Sequence, residues 1–248
     1  MGDNFPFDQR IIHYNEFAFP VDMRANGTEE VYLFIKHKGN TLQLPVTIRN
    51  EKKFDRFVEG KYLGIGMITG ILLIAFFFAF FFYLNRIDRL FLYYSLYVLC
   101  LAAWLWSTEG YAFQYLWPHR PEWATRLGPA ISVLTLAMFI LVCLEFTRQM
   151  KGLQFLRMAL RVLVAFLFIF GLLPFVPAVL DILNPSVMRV YLSVHFFLNM
   201  PTLLLMMAYL IGISLKRNTS VLYFLLAVIL SVVCSLLVVA RHSGWISL

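Results

Sequence analysis

The sequence predicts a mainly α-helical fold, a polytopic transmembrane helix bundle preceded by part of an antiparallel β-sandwich. Six apolar stretches follow one another between residues 63 and 240, each close to the roughly 20 residues that a helix needs to cross a bilayer. Hydrophobic residues make up 60% of the 248 and charged residues only 14%, whereas soluble domains average about 25% charged. Ahead of these stretches, apolar residues recur with the period of two that is typical of half-buried strands.

The bundle region covers residues 60–248, and its charged residues fall mainly between the apolar stretches. Such a chain cannot hide its apolar surface in one water-soluble core, so the lipid bilayer is its predicted partner. We place the spans at about residues 63–84, 90–106, 127–145, 160–180, 190–215 and 221–240.

The β segment covers residues 1–57 and predicts a meander of three strands, or of four if Ile11 to Tyr14 contributes one. Its alternating apolar runs lie near residues 17–21, 31–36 and 42–48. Asn26-Gly27 suits a tight hairpin turn between the first two, although with Thr28 it also matches a glycosylation sequon. A sheet this small is marginal without a second layer, so we expect the rest of a β-sandwich upstream and expect the chain to be a fragment.

Charge and chemical motifs exclude several classes of function. The net charge of +7 comes from basic residues in short loops rather than from one stripe, so no nucleic acid is expected. Cys100, Cys143 and Cys234 each fall in a different span without metal-site spacing, and the sequence has no HExxH, GxSxG or Walker motif. We therefore predict no catalytic residue, no metal and no cofactor, and the chain by itself is not expected to be an enzyme.

Basic residues and tryptophans predict the same orientation. With the N-terminus outside, eight basic residues lie in the inner loops and four in the outer ones, as the positive-inside rule requires. The five tryptophans then lie near the outer boundary, where indole rings favour the head-group layer. The inner residues are Arg86, Arg89, Arg148, Lys151, Arg157, Arg161, Lys216 and Arg217, the outer ones Arg120, Arg126, Arg189 and Arg241, and the tryptophans Trp104, Trp106, Trp117, Trp123 and Trp245.

The loop from Glu109 to Pro118, EGYAFQYLWP, follows a second span written LFLYYSLYVLCLAAWLWS. Together they resemble the bacterial seven-transmembrane receptors with diverse intracellular signalling modules, the DISM family. The similarity extends to FAFPVDM, VYLFIKHKG and LQLPVTI, which resemble the closing strands of that family's extracytoplasmic domain. It covers nearly the whole chain from about residue 10.

This resemblance implies a sensor in the bacterial inner membrane. It implies that a jelly-roll-like domain outside takes a small-molecule or carbohydrate ligand, and that seven helices relay binding to a cytoplasmic module such as a histidine kinase or a diguanylate cyclase. The present chain has six of the seven spans and no output module. The alternative is a small polytopic transporter, but no matching half-repeat is visible. An intramembrane enzyme with His195 as its base is a third hypothesis.

The family-motif loop gives the first set of candidate residues. The aromatic rings would anchor at head-group depth while the glycine and the proline fix the turns, which makes a stiff lid on which the exported domain presses. A generic interfacial aromatic belt would use the same residue types. The loop residues are Gly110, Tyr111, Phe113, Gln114, Tyr115, Trp117 and Pro118.

Polar residues within the fifth span give the second set. His195, Asn199 and Thr202 share one helical face, and Pro201 loosens the backbone beside them. One hypothesis is an interhelical packing seam, and the other is a hinge that relays a signal and responds to protonation or ligand.

Small residues in the first span suggest a homodimer. Gly66 and Gly70 have the GxxxG spacing of closely packed membrane helices, within one chain or between two protomers.

Overall fold

The computed structural model of the chain describes residues 5–23, 28, 30–34, 46–150, 152–175, 185–214, 222–226 and 228–229. This part is mainly helical, which confirms the predicted fold class at that level. Five of its helices are long and apolar enough to cross a membrane. They are Glu51–Arg86, Arg89–Thr108, Pro121–Phe146, Gln154–Phe175 and Ser193–Ser214.

Helix α1 comprises Glu51–Arg86 and begins well before the apolar stretch that predicted it. The side chain of Asn50 accepts a hydrogen bond from the backbone N–H of Lys53 and so caps the first turn. Residues 51–57, which the sequence analysis assigned to the β segment, are therefore helical. An apolar run marks only the part of a helix that lies in lipid, so the polar first turns of α1 were not recognised as helical from the sequence.

The other helices follow in chain order. Asp88 caps the N-terminus of α2 through the backbone N–H of Leu90, and Pro121 occupies the first turn of α4, where its missing N–H costs nothing. Helices α2 to α6 are Arg89–Thr108, Tyr111–Tyr115, Pro121–Phe146, Gln154–Leu172 and Pro185–Ser214, and short 3-10 turns cover Phe7–Gln9 and Leu173–Phe175.

The buried core lies between α4, α5 and α6. Helix α5 shows why, since its buried residues recur at helical spacing along one face and turn the opposite face outward. Helix α2 packs against α1 and α4, whereas α1 leaves most of its apolar side chains exposed for lipid. The core includes Val133, Ala137, Ile140, Cys143, Leu160, Val164, Leu167, Phe170, Met206, Tyr209, Leu210 and Ile213.

The antiparallel helices give the bundle two chemically different ends. The end formed by α3 and the adjoining ends of α2 and α4 carries Trp106, Trp117 and Trp123, and we name it the aromatic end. The opposite end carries Arg86, Arg89, Arg148 and Arg157, together with the α4–α5 loop, and we name it the arginine end.

The β-sandwich stays a prediction. The described residues of this segment, 5–23, 28, 30–34 and 46–50, contain no strand, and Tyr32, Phe34 and Ile48 are 86%, 94% and 88% exposed. A strand is stable only when neighbouring strands pair with its backbone groups and a second layer covers its apolar face. The predicted turn at Asn26-Gly27 and residues 35–45 lie outside the described residues.

The predicted sixth span, 221–240, lies mostly outside the described residues. Residues 222–226 and 228–229 are helical, and Leu225 and Val228 are buried against the core. The ring of Phe224 stacks on Phe146 at the end of α4, with 4.6 Å between ring centroids. This short piece therefore packs beside α4 at the arginine end.

Candidate functional site

The short helix α3 forms the centre of the aromatic end. Gly110 precedes it in the left-handed region, with φ of +79°, which lets the chain turn sharply after α2. Tyr111, Ala112 and Phe113 are then buried. The centre of the predicted loop thus folds as one short helical turn, in which the side chains of Tyr111 and Phe113 face into the protein.

An N-terminal segment, residues 5–16, lies across this loop. The backbone N–H of Phe7 donates to the carbonyl of Pro118 at 2.8 Å, and the Phe7 ring meets Phe113 edge-on at 5.7 Å. At the other end of the segment, the side-chain amide of Asn15 donates to the carbonyl of Glu109 at 2.6 Å. The segment therefore holds the loop at both of its ends, and we name this contact the junction.

Gly110 allows the junction to be close. A Cβ atom placed on Gly110 would lie 3.0 Å from the backbone carbonyl oxygen of Asn15. The loop and the segment are therefore in contact through their main chains, and a backbone carbonyl has little freedom to move aside.

Arg10 organises the N-terminal segment internally. Its guanidinium donates to the carbonyls of Tyr14 and Asn15 at 2.9 and 3.0 Å, and it lies over the rings of Phe7, Phe17 and Phe113. Arg10 is only 8% exposed, and its hydrogen bonds to carbonyl groups and its contacts with aromatic faces compensate for the water that the buried cation has lost.

Lys61 of α1 adds an electrostatic contact to the junction. Its ammonium group pairs with the carboxylate of Glu16 and lies 3.4 Å from that of Glu109. Tyr14, beside Glu16, packs edge-on against Phe54 of α1 at 5.5 Å. One lysine therefore links α1, the end of α2 and the N-terminal segment.

Tyr111 lies beneath the junction against α1 and α2. Its ring contacts Tyr62 at 5.4 Å and Trp106 at 6.5 Å, and burial raises its pKa to about 12. Nearby, the hydroxyl of Tyr62 and the side-chain amide of Gln114 exchange hydrogen bonds of 3.1 and 3.3 Å. Burial likewise raises the pKa of Tyr14.

The predicted loop residues are thus brought together, although their surroundings differ. Gly110, Tyr111 and Phe113 face the N-terminal segment or α1, whereas Tyr115 is 57% exposed. The ring of Trp117 lies 6.5 Å from that of Trp123.

Sequence reasoning missed the partners of this loop, chiefly Phe7, Arg10, Asn15 and Lys61. All four lie outside the predicted strands and the predicted spans. The only available signal was a lysine just before the first span and an arginine among aromatic residues, and neither predicts a contact between distant parts of the chain.

The second set of candidates lies within α6. The side-chain amide of Asn199 lies 3.3 Å from the imidazole Nε2 of His195, Thr202 is 2% exposed, and Pro201 lies inside the helix on an exposed face. A hydrogen bond between two polar groups four residues apart fits either the packing seam or the relay hinge.

Within the described residues, no group of three or more His, Cys, Asp or Glu side chains could hold a metal ion. What the aromatic end offers is a set of ring contacts, main-chain hydrogen bonds and ion pairs. These groups hold one segment of the chain against another.

Comparison with known families agrees with this architecture. Residues 61–248 match the family model described as 7TM diverse intracellular signalling, and residues 1–50 match that described as 7TMR-DISM extracellular 2. No curated protein and no solved structure matches the chain. The first match covers more than half of the sequence and coincides with the membrane helices, which makes the chain a multi-pass membrane protein. The chain therefore belongs to the 7TMR-DISM family of membrane receptors with diverse intracellular signalling modules.

Proposed function

We propose that this chain senses a ligand outside the cytoplasm and relays its binding through the helix bundle to a cytoplasmic signalling module. The single observation that carries the proposal is the junction, where the N-terminal segment binds the loop between α2 and α4. The ligand is a small molecule or a carbohydrate, taken by the complete β-sandwich domain to which residues 1–50, the part that precedes α1, contribute.

The junction is suited to transmit displacement. Its bonds at Phe7 and at Asn15 lie at opposite ends of the loop from Glu109 to Pro118, so a shift of the segment either moves the loop or breaks the bonds. The loop in turn connects α2 and α4 directly. Helix α4 crosses the bundle and ends at Phe146, which brings the movement to the arginine end.

Such a relay requires that ligand bind one arrangement of the junction more tightly than another. An ordered contact of a few bonds is suited to this, because each bond is worth about 1 kcal/mol and a ligand can compensate for its loss. A completely rigid contact would hold only one state.

The charge distribution supports an orientation with the N-terminus outside, in the bacterial inner membrane. Arg86, Arg89, Arg148, Arg157 and Arg161 lie towards the arginine end, as expected of a cytoplasmic face. The tryptophans at the opposite end fit an outer head-group layer.

Cysteine labelling in intact cells tests the orientation. Asp8 and Gln149 are exposed residues at opposite ends of the bundle. We expect a membrane-impermeant maleimide to label the Asp8→Cys variant at once, and the Gln149→Cys variant only after the cells are permeabilised. The unmodified chain provides the blank for its three natural cysteines. The opposite labelling pattern would overturn the orientation.

The relay is tested in lipid nanodiscs with the same Gln149→Cys reporter. Adding Asn15→Ala removes the hydrogen bond to Glu109, and we expect it to change the labelling rate at position 149 by a factor of about 3 or more. The matched control is Asn85→Ala, because the Asn85 amide makes a similar bond, to the carbonyl of Phe81, within an exposed turn of α1. A relay is contradicted if Asn15→Ala leaves the rate unchanged.

A further inference from the structure

Arg157, in the first turn of α5, binds groups from α6 and from the chain just after α4 at the arginine end. Its Nε donates to the hydroxyl of Tyr209 on α6 at 3.1 Å. Its Nη2 donates to the carbonyls of Thr147 and Met150 at 2.8 and 2.9 Å, and its Nη1 to that of Arg148 at 3.4 Å. One side chain thus joins α5, the end of α4 and α6.

The position of Arg157 is explained by the ends of two helices. A cation is unfavourable in the first turn of α5, where the helix dipole is positive. The guanidinium instead reaches the C-terminal end of α4, where carbonyl groups lack helical partners and the dipole is negative. Because the bonds diverge from one planar fork, lysine cannot replace arginine here.

Tyr209 is the point at which α6 enters this network. Its hydroxyl lies 2.7 Å from Oγ1 of Thr147, and both residues are completely buried. Oγ1 of Thr147 donates its own hydrogen to the carbonyl of Cys143 at 2.7 Å, so the hydroxyl of Tyr209 is the donor between the two. A continuous chain of donors therefore runs from Arg157 through Tyr209 and Thr147 into α4.

The loop between α4 and α5 touches α6 a second time. Gly152 and Leu153 both have left-handed backbone angles, with φ of +121° and +52°. The side chain of Leu153 packs on Gly212, where an added Cβ would lie 2.5 Å from its Cδ1 atom. Gly212 is three residues after Tyr209, so the polar contact and the apolar contact lie on one face of α6.

We propose that Arg157, Thr147 and Tyr209 form a polar joint that makes the end of α6 follow movements of α4. This inference rests on the proposed function and specifies how displacement that reaches the end of α4 passes to the next helix. Hydrogen bonds lose their strength when the partners separate by a fraction of an ångström beyond normal range. The joint therefore either moves as a unit or opens.

A second cysteine reporter separates the joint from the relay as a whole. Ser214 is the last residue of α6, beyond the joint, whereas Gln149 lies three residues after the end of α4 at Phe146. In nanodiscs carrying the full chain, we expect Asn15→Ala to change the maleimide labelling rate of Ser214→Cys by a factor of about 3 or more. With Tyr209→Phe also present, the response at 214 is lost while that at 149 remains.

The matched control is Tyr191→Phe on the same helix. Tyr191 is stacked on Phe170, and its hydroxyl has no hydrogen-bond partner within the described residues, so its loss leaves the response at 214 intact. Thr147→Ser keeps the oxygen and preserves the response, whereas Thr147→Val abolishes it. These pairs remain informative even if the variants differ in thermal stability.

Each outcome bears on a different claim. If the response at 214 persists in Tyr209→Phe and in Thr147→Val, the joint has only a structural role and this inference is overturned. If Asn15→Ala changes neither 149 nor 214, the relay itself fails. A response at 149 that never reaches 214, even with the joint intact, overturns the joint and leaves the relay standing.

Discussion

Gly110→Ala is the sharpest perturbation of the junction. At φ of +79° the backbone of Gly110 suits glycine, and an alanine Cβ would lie 3.0 Å from the carbonyl oxygen of Asn15. We expect the variant to separate the N-terminal segment from the loop while the membrane helices stay folded, because Gly110 lies between α2 and α3 rather than inside a span.

The magnitude follows from two contributions. A left-handed alanine costs about 1 kcal/mol or slightly more relative to glycine. Displacing the carbonyl of Asn15 also weakens the bond from its side chain to Glu109, worth about 1 kcal/mol. A total near 2 kcal/mol raises the population of the separated junction roughly 30-fold.

Hydrogen exchange measured by mass spectrometry in nanodiscs detects this change. The amide of Phe7 donates to Pro118, and that of Tyr14 donates to Ile12 within the segment. We expect faster exchange in peptides covering residues 5–16 and unchanged exchange in the membrane-spanning part of α1.

Gly128→Ala is the matched control. Its Cβ would lie 3.6 Å from Oγ of Ser107, an ordinary contact, and Gly128 lies inside α4 with helical geometry. We expect it to leave exchange at residues 5–16 unchanged. Equal exchange in Gly110→Ala and the parent chain, or equal acceleration by both variants, would refute the reasoning.

Three further predictions concern the same architecture. Lys61→Gln removes the ion pairs with Glu16 and Glu109, so we expect hydrogen exchange at residues 5–16 to rise by a factor of about 3 to 5, and the difference to shrink at high salt. The matched control is Lys53→Gln, at an exposed position of α1, which leaves that exchange unchanged. Burial raises the pKa of Tyr111 from 10 to about 12, so the stability that its neutral form contributes is complete below pH 10 and is lost as pH rises from 10 through 12. In a pH series of thermal melts we expect Tyr111→Phe to abolish this part of the alkaline loss of stability, and an unchanged pH slope in the variant argues against a role of Tyr111. Among the described residues, nothing lies within 4 Å of a Cβ added at Gly66 or Gly70, so we expect Gly66→Leu to leave the melting temperature of the monomer unchanged. If a second copy packs on this face, the same variant lowers the cross-linked homodimer about tenfold, and equal cross-linking in both proteins rejects the GxxxG homodimer.

The membrane helices were predictable because their signal is local. A span requires only a run of apolar residues of sufficient length, and five such helices are present in the described part of the chain. The N-terminal boundary of α1 was not predictable from that run, because its polar first turns, starting at Glu51, are held by a cap at Asn50 rather than by lipid.

Candidate residues were predictable where spacing along one helix decides proximity. His195 and Asn199 are four residues apart and lie within 3.3 Å. Arg157 shows the opposite case, since the sequence marked it only as a basic residue near a helix end. Its contact with Tyr209, 52 positions away, depends on how α5 packs against α6.

The sequence by itself determined that the chain crosses a membrane repeatedly, because bilayer thickness and hydropathy act on each segment separately. It also supplied the motif loop that resembles the receptor family. Only the tertiary structure decided which polar groups meet. Asn15 binds Glu109 across 94 positions of the chain, and such a contact depends on the packing of whole helices rather than on any local pattern.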